Sequence, residues 1–323
     1  MGKRQSHQAE RGIAAAVGAA LLFGANPSIS KVVLDRVEPL MLAGLFYVGA
    51  GLGLTIIYLF SRRLTRLSSQ QAMSVRGKDW LWLGAATLFG GVMAPVLLMF
   101  GIADSPASSA SLLLSLEGVF TALLGWFIFR ERFNWGVALG MSAIIAGSMV
   151  LSWAKYSEFG VSWGSLAVIG SCFAWACDNN LTKQISHREP LQISAVKSGV
   201  AGVVNTAIAL SMGQSLPSPP LLVVTGAIGL LNYGLALVCF VLALRYIGAA
   251  RTGAYFSLAP FIGAAIAILV LGEGITRPLI VATGLMILGV GLCLSEQLYN
   301  NLQNTSPRKS GKEPPDSPPR KPG

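Results

Sequence analysis

Runs of roughly 20 consecutive apolar residues, separated by short polar gaps, fill this sequence, and that run length is what crosses a bilayer as a helix. Ten such runs fall near residues 12–34, 39–60, 79–102, 106–129, 134–153, 161–184, 190–212, 218–244, 249–272 and 276–297. Only 12% of the chain is charged, about half the share usual in a soluble protein. In hydrocarbon each backbone N–H and C=O must be satisfied within its own segment, so every run is predicted to be an α-helix. The expected fold class is an all-α integral membrane protein with ten transmembrane helices. Pro39, Pro106, Pro190, Pro217 and Pro278 stand at or beside the run ends, where a missing N–H costs little. The first run follows Lys3, Arg4 and Arg11 as a signal peptide would, but it outlasts the 7–15 apolar residues of such a peptide. It is expected to remain as the first span.

The net charge of +10 reports topology. Nineteen of the 24 lysines and arginines fall at the termini or in alternate loops, and only Lys31, Arg36, Lys155 and Arg277 fall in the opposite loops. The excess of basic residues on one side predicts both termini in the cytoplasm, and the expected location is the inner (plasma) membrane. No basic run is interleaved with stacking aromatics, so nucleic acid is not an expected partner. The segment 298–323 is polar, basic and rich in proline, and is expected to be a disordered tail.

The chain also matches itself. "NPSISK" (26–31) aligns with "DNNLTK" (178–183), and "EPL" (38–40) with "EPL" (189–191). "SLEGVF" (115–120) aligns with "SLAPFI" (257–262), and at the same offset of 142 Glu131 falls opposite Glu273. Residues 1–11 then form a cytoplasmic N-terminus, 12–155 a first five-helix repeat and 161–297 a second. Five is odd, so the second copy must enter the membrane inverted, an architecture of secondary transporters that work by alternating access.

With ten runs, two five-helix repeats and the paired segments "SLEGVFTALLGWFIFRE" and "SLAPFIGAAIAILVLGE", residues 12–297 resemble the EamA-type transporters of the drug/metabolite transporter superfamily. The resemblance implies export of amino acids or other small metabolites. The family often carries a proline where this sequence has Gly118, whereas the second copy keeps Pro260. A weaker kink is therefore expected in the first copy.

Ionisable residues deep in a span cost about 2.5–3.5 kcal/mol each and usually serve a function. Three are found: Glu117, Asp178 and Lys197. Keeping a carboxyl protonated at pH 7 costs a similar amount, about 3.7 kcal/mol, so a partner decides the state of Glu117. Lys197 is the deep cation available to it. A fixed buried pair or hydrogen bond and a cavity group that binds substrate or a coupling proton both remain open for this glutamate. Asp178, Asn179 and Asn180 are consecutive and cannot share one helical face, so some must meet other helices or a cavity. Asn26, before Pro27 in the matched stretch, suggests locally opened backbone there. Ser194, Lys197, Ala201 and Asn205 share one face by helical spacing. Asn232, Tyr233 and Tyr255 are further cavity candidates. Glu131 and Glu273 end their spans, where pairing with Arg130, Arg132 or Arg277 is expected. Gly49 with Gly53 and Gly136 with Gly140 have the spacing of close helix contacts.

The substrate or coupling set expected from the sequence is thus Glu117, Asp178, Lys197, Asn26, Asn179, Asn205 and Tyr255. No metal or cofactor is expected. The four cysteines show no ligand spacing, His7 and His187 lie outside the runs, and no P-loop or HExxH occurs. An enzyme is not expected. The expected partners are a small-molecule substrate, a proton and membrane lipid, with the chain acting as a monomer or homodimer. An exchanger without proton coupling and a passive channel are the alternative readings.

Overall fold

The computed structural model describes residues 2–65, 75–129, 135–153, 162–185, 188–247 and 249–305. The membrane body is built from α1 (Glu10–Leu34), α2 (Pro39–Ser61), α3 (Asp79–Ala103), α4 (Ala107–Ile128) and α5 (Trp135–Ser152). Then follow α6 (Trp163–Lys183) and α7 (Pro190–Ser211), α8 (Pro219–Leu244), α9 (Arg251–Leu271) and α10 (Arg277–Ser295). Nine of these, all but α6, are long and apolar enough to cross a membrane, among the described residues. Helix α6 has 21 residues, but its Asp178–Asn179–Asn180 triplet makes it more polar than the rest. Helix continues past α10 to Thr305, beyond the boundary expected at 297. Glu131, its expected arginine partners Arg130 and Arg132, and the tail after 305 lie outside the described residues.

The repeat is visible in the helix irregularities. Helix α3 widens to a π-helix at Thr87–Met93, and α8 does so at Leu230–Leu235, 142 or 143 residues later. Helix α4 is interrupted between Leu113 and Leu116, and α9 between Phe256 and Ala259. Both interruptions are tightened turns: Ser115 N–H donates to Leu112 O at 3.0 Å, and Leu258 N–H to Tyr255 O at 3.2 Å. The first copy therefore breaks at the matching place although Gly118 stands where the second copy has Pro260. Helix α1 is interrupted at Ala25, just before Asn26–Pro27, whereas its counterpart α6 is continuous.

Counterpart helices run in opposite directions. Lys31, late in α1, donates to the carbonyls of Ile102, Ala103 and Ser105 at 2.7, 3.0 and 2.8 Å. At this same end Asp104 accepts the Gly164 N–H at 2.9 Å, at the start of α6. The end of α1 and the beginning of α6 therefore lie together, as inverted copies require. The opposite end is marked by Asp79, at the start of α3, which pairs with Arg188 at 2.6 Å. Helix α6 accordingly runs antiparallel beside α3 from one end of the body to the other.

The two copies interlock: α2 packs on α7, α5 on α10, α1 on α8 and α3 on α6. Small residues permit these approaches. Gly49 lies against the backbone of Gly226, and Gly140 against Gly289 and Cys293. Between helices in lipid, such close packing supplies association energy that hydrophobic burial cannot.

Candidate functional site

The site grows out of the π-helical turn of α3. Pro95 has no N–H, and the Ala94 N–H bonds back to Phe89 O. The carbonyls of Gly90 and Gly91 are thereby left without helical partners, a loss of several kcal/mol in hydrocarbon unless made good. Side chains from three other helices supply the missing donors. Trp175 Nε1 and the Tyr47 hydroxyl donate to Gly90 O at 3.0 and 3.1 Å. Asn205 Nδ2 donates to Gly91 O at 3.2 Å. The opened turn thus fixes α2, α6 and α7 around one point.

Beside that point lies a cavity of about 610 Å³ between the two copies. Phe23, Tyr47, Gly90 and Glu117 come to its wall from the first copy, and Trp175, Asp178, Asn179, Lys197, Tyr233 and Phe256 from the second. Asp178 Oδ1 is paired with Lys197 Nζ and accepts the Thr182 hydroxyl at 2.8 Å. Glu117 Oε1 accepts Asn179 Nδ2 at 2.8 Å, and Asn179 also reaches Thr121 Oγ1 at 3.3 Å. A second, mostly apolar cavity of about 330 Å³ adjoins the first, sharing Phe23, Glu117 and Phe256 with it. The arrangement can hold a proton at a carboxylate and can offer both signs of charge to a ligand within aromatic walls.

A family model described as the EamA-like transporter family matches residues 10–153 and again 162–295. The chain belongs to the EamA-like transporter family.

Among its relatives, an uncharacterized transporter of Methanothermobacter thermautotrophicus is 30% identical over 275 residues, 80% of this chain and 78% of that one. A probable amino-acid metabolite efflux pump of Salmonella typhimurium is 26% identical, over 53% of this chain and 52% of its own length. An S-adenosylmethionine/S-adenosylhomocysteine transporter of Chlamydia muridarum is 23% identical over 86% of this chain and 90% of its own. One solved crystal structure of a protein superposes with a TM-score of 0.62 at 17% identity, covering 93% of this chain and 99% of that one. That likeness concerns the fold.

In this EamA-like transporter the structure gathers four of the seven expected residues, Glu117, Asp178, Asn179 and Lys197, around one cavity. Lys197 is engaged by Asp178, while Glu117, for which the sequence left a pair or a hydrogen bond open, is held by an amide. Asn26 and Asn205 are fully buried and stand behind the lining. Asn26 Nδ2 donates to the Tyr233 hydroxyl at 2.9 Å and its Oδ1 accepts Asn232 Nδ2 at 3.3 Å. Tyr255 is not among the lining residues; its neighbour Phe256 is. Ser194, Asn232 and Tyr233 do line the cavity. Glu273 is bound by the Ala107 and Ser108 N–H groups, where Arg277 was the expected partner. Sequence reasoning passed over Tyr47, Phe23 and Phe256, which carry no signal in an apolar span. It also passed over Gly90 and Pro95, which the run "GGVMAP" does announce as a place where helical bonding must fail.

Proposed function

We propose that this protein is a secondary transporter that exports a small metabolite of amino-acid type by alternating access, coupled to protons. The observation that carries this reading is the cavity between the inverted copies, with Glu117, Asp178 and Lys197 among its lining side chains. A zwitterion can replace the Asp178–Lys197 pair charge for charge, its carboxylate meeting Lys197 and its ammonium meeting Asp178 or Glu117. The aromatic wall, Trp175 above all, suits an ammonium group by cation–π attraction. Glu117, held through one oxygen by Asn179, is assigned the coupling proton. The Salmonella typhimurium relative named as a probable amino-acid metabolite efflux pump supports the substrate class. The topology that goes with this reading has ten spans, α6 included, in the inner membrane with both termini cytoplasmic.

An exchange mode without proton coupling is favoured by one observation: Asp178 and Lys197 already compensate each other without a proton. One experiment tests both modes. Purified protein in proteoliposomes is offered an amino-acid and metabolite library, with and without a pH gradient, as wild type and as Glu117→Gln. Gradient-driven flux that disappears in the folded variant is expected. Flux indifferent to the gradient but stimulated by substrate on the far side would establish exchange, and no flux with any compound would refute the transporter reading.

A further inference from the structure

Helices α4 and α9 are counterparts in the repeat, yet their halves are not packed alike. Ala107–Leu113 of α4 packs along Ala259–Leu271 of α9, and Ser28 of α1 joins them by donating to Gly263 O at 3.3 Å. The symmetric partners of those segments are Leu116–Phe129 and Ala249–Phe256. Among the described residues these two do not pack on each other in the same way. The 330 Å³ cavity lies between them, with Gly118 and Ala122 on one side and Gly253 and Ser257 on the other. Where an inverted repeat breaks its own symmetry, the difference between the halves marks which side is shut.

The shut side has a chemical fastening. Gly272 takes φ 68°, in the left-handed region open to glycine, and ends α9. The chain turns there, and the Glu273 carboxylate accepts the Ala107 N–H at 2.6 Å and the Ser108 N–H at 2.9 Å. These are N–H groups that the first turn of α4 leaves free, at the positive end of its dipole. One carboxylate therefore ties the α9–α10 connection of the second copy to the start of α4 in the first.

We infer that Glu273 is a positioning residue of the transport cycle: it latches the Ala107 end of α4 to α9 in the conformation seen here. Its release opens the central cavity toward that end while the gap between Leu116–Phe129 and Ala249–Phe256 closes. The inference rests on the alternating-access reading and adds to it the group that holds one of the two states. Arg277, Lys31 and Asp104 share this end of the body, but the two bonds from Glu273 join α4 to α9 directly.

Sided cysteine labelling tests the latch without requiring any substrate. In a full-length chain whose four cysteines are replaced by serine, single reporters are placed by Ser111→Cys and Ser257→Cys. Ser111 is buried where α4 meets α9, and Ser257 lines the gap at the other end. A membrane-impermeant maleimide is then added from one side at a time. Without further change, Ser257→Cys is expected to react and Ser111→Cys to be protected. Adding Glu273→Gln is expected to raise labelling of Ser111→Cys from the Glu273 side by about five-fold or more, the lower bound of a typical coupling between sites, and to lower that of Ser257→Cys. Ser108→Pro removes one of the two donors at a position where proline suits a helix, leaves the carboxylate in place and is expected to move both reporters the same way. Unchanged labelling in either folded variant, or a rise at both reporters together, overturns the latch. Because no transport is read, absent flux would count against the transporter reading alone, and intact flux with unchanged labelling against the latch alone.

Discussion

Gly90 and Asp178 stand so close that a β-carbon on the glycine would fall within 2.6 Å of Asp178 Cβ and overlap its carboxylate. The contact is made possible by the π turn of α3, and it sets the depth at which the carboxylate meets Lys197. Gly90→Ala is therefore expected to push α3 from α6 and to cost about 1–3 kcal/mol, the usual range for overpacking. Gly118→Ala, where nothing lies within 4 Å of the added carbon, is the matched control. A fall in the apparent melting temperature of the detergent-solubilised protein for the first variant and none for the second checks this; equal melting of both would refute it.

Asp178 and Lys197 are each largely buried, with side chains 10% and 16% exposed. Removing one member strands the other, at a cost of about 3 kcal/mol, so Asp178→Asn alone is expected to lower stability and abolish flux. Replacing both, as Asp178→Asn with Lys197→Met, removes the stranded charge. The double variant is expected to regain most of the melting temperature but none of the flux. Recovered flux in it would show that the pair is structural and that the substrate site lies elsewhere.

Asn205 reads on the sequence as a ligand and is found as a donor to Gly91 O. Asn205→Ala leaves carbonyls of the π turn unsatisfied, a loss of about 1–3 kcal/mol. Lower melting temperature and lower yield are expected, with the substrate KM of the surviving folded protein unchanged. A several-fold change in KM at full stability would return Asn205 to the binding site.

Nine of the ten expected spans, the repeat and its inversion were legible in the sequence because each rests on a pattern that lipid enforces along the chain. The convergence of Glu117, Asp178 and Lys197 was legible for a related reason: charge in an apolar span is costly wherever it points, so it stands out against the residues on either side. Pairing was not. Asp178 and Lys197 lie on consecutive antiparallel helices near their shared short connection, while Glu117 comes from α4 of the other copy and meets Asn179, and only the fold reveals that geometry. The aromatic wall was hidden because Phe23, Tyr47 and Phe256 differ little from their neighbours in apolar character. The two donors to Glu273 are backbone groups, and no side-chain pattern announces them.

The last prediction separates contact from support at Asn26. Its amide donates to the Tyr233 hydroxyl at 2.9 Å, while its carbonyl accepts Asn232 and, at 3.2 Å, Ser30. Tyr233 lines the cavity and Asn26 does not, so Asn26 is expected to act by holding the phenol in place. Tyr233→Phe should then raise the KM several-fold, consistent with about 1 kcal/mol for the lost hydrogen bond. Asn26→Ala in the wild-type background should do much the same, because it frees the phenol. In a Tyr233→Phe background the phenol is already gone, and Asn26→Ala should add little to KM while still lowering the melting temperature. This double-mutant cycle measures the coupling directly. Additive effects on KM would mean that Asn26 meets the substrate on its own account.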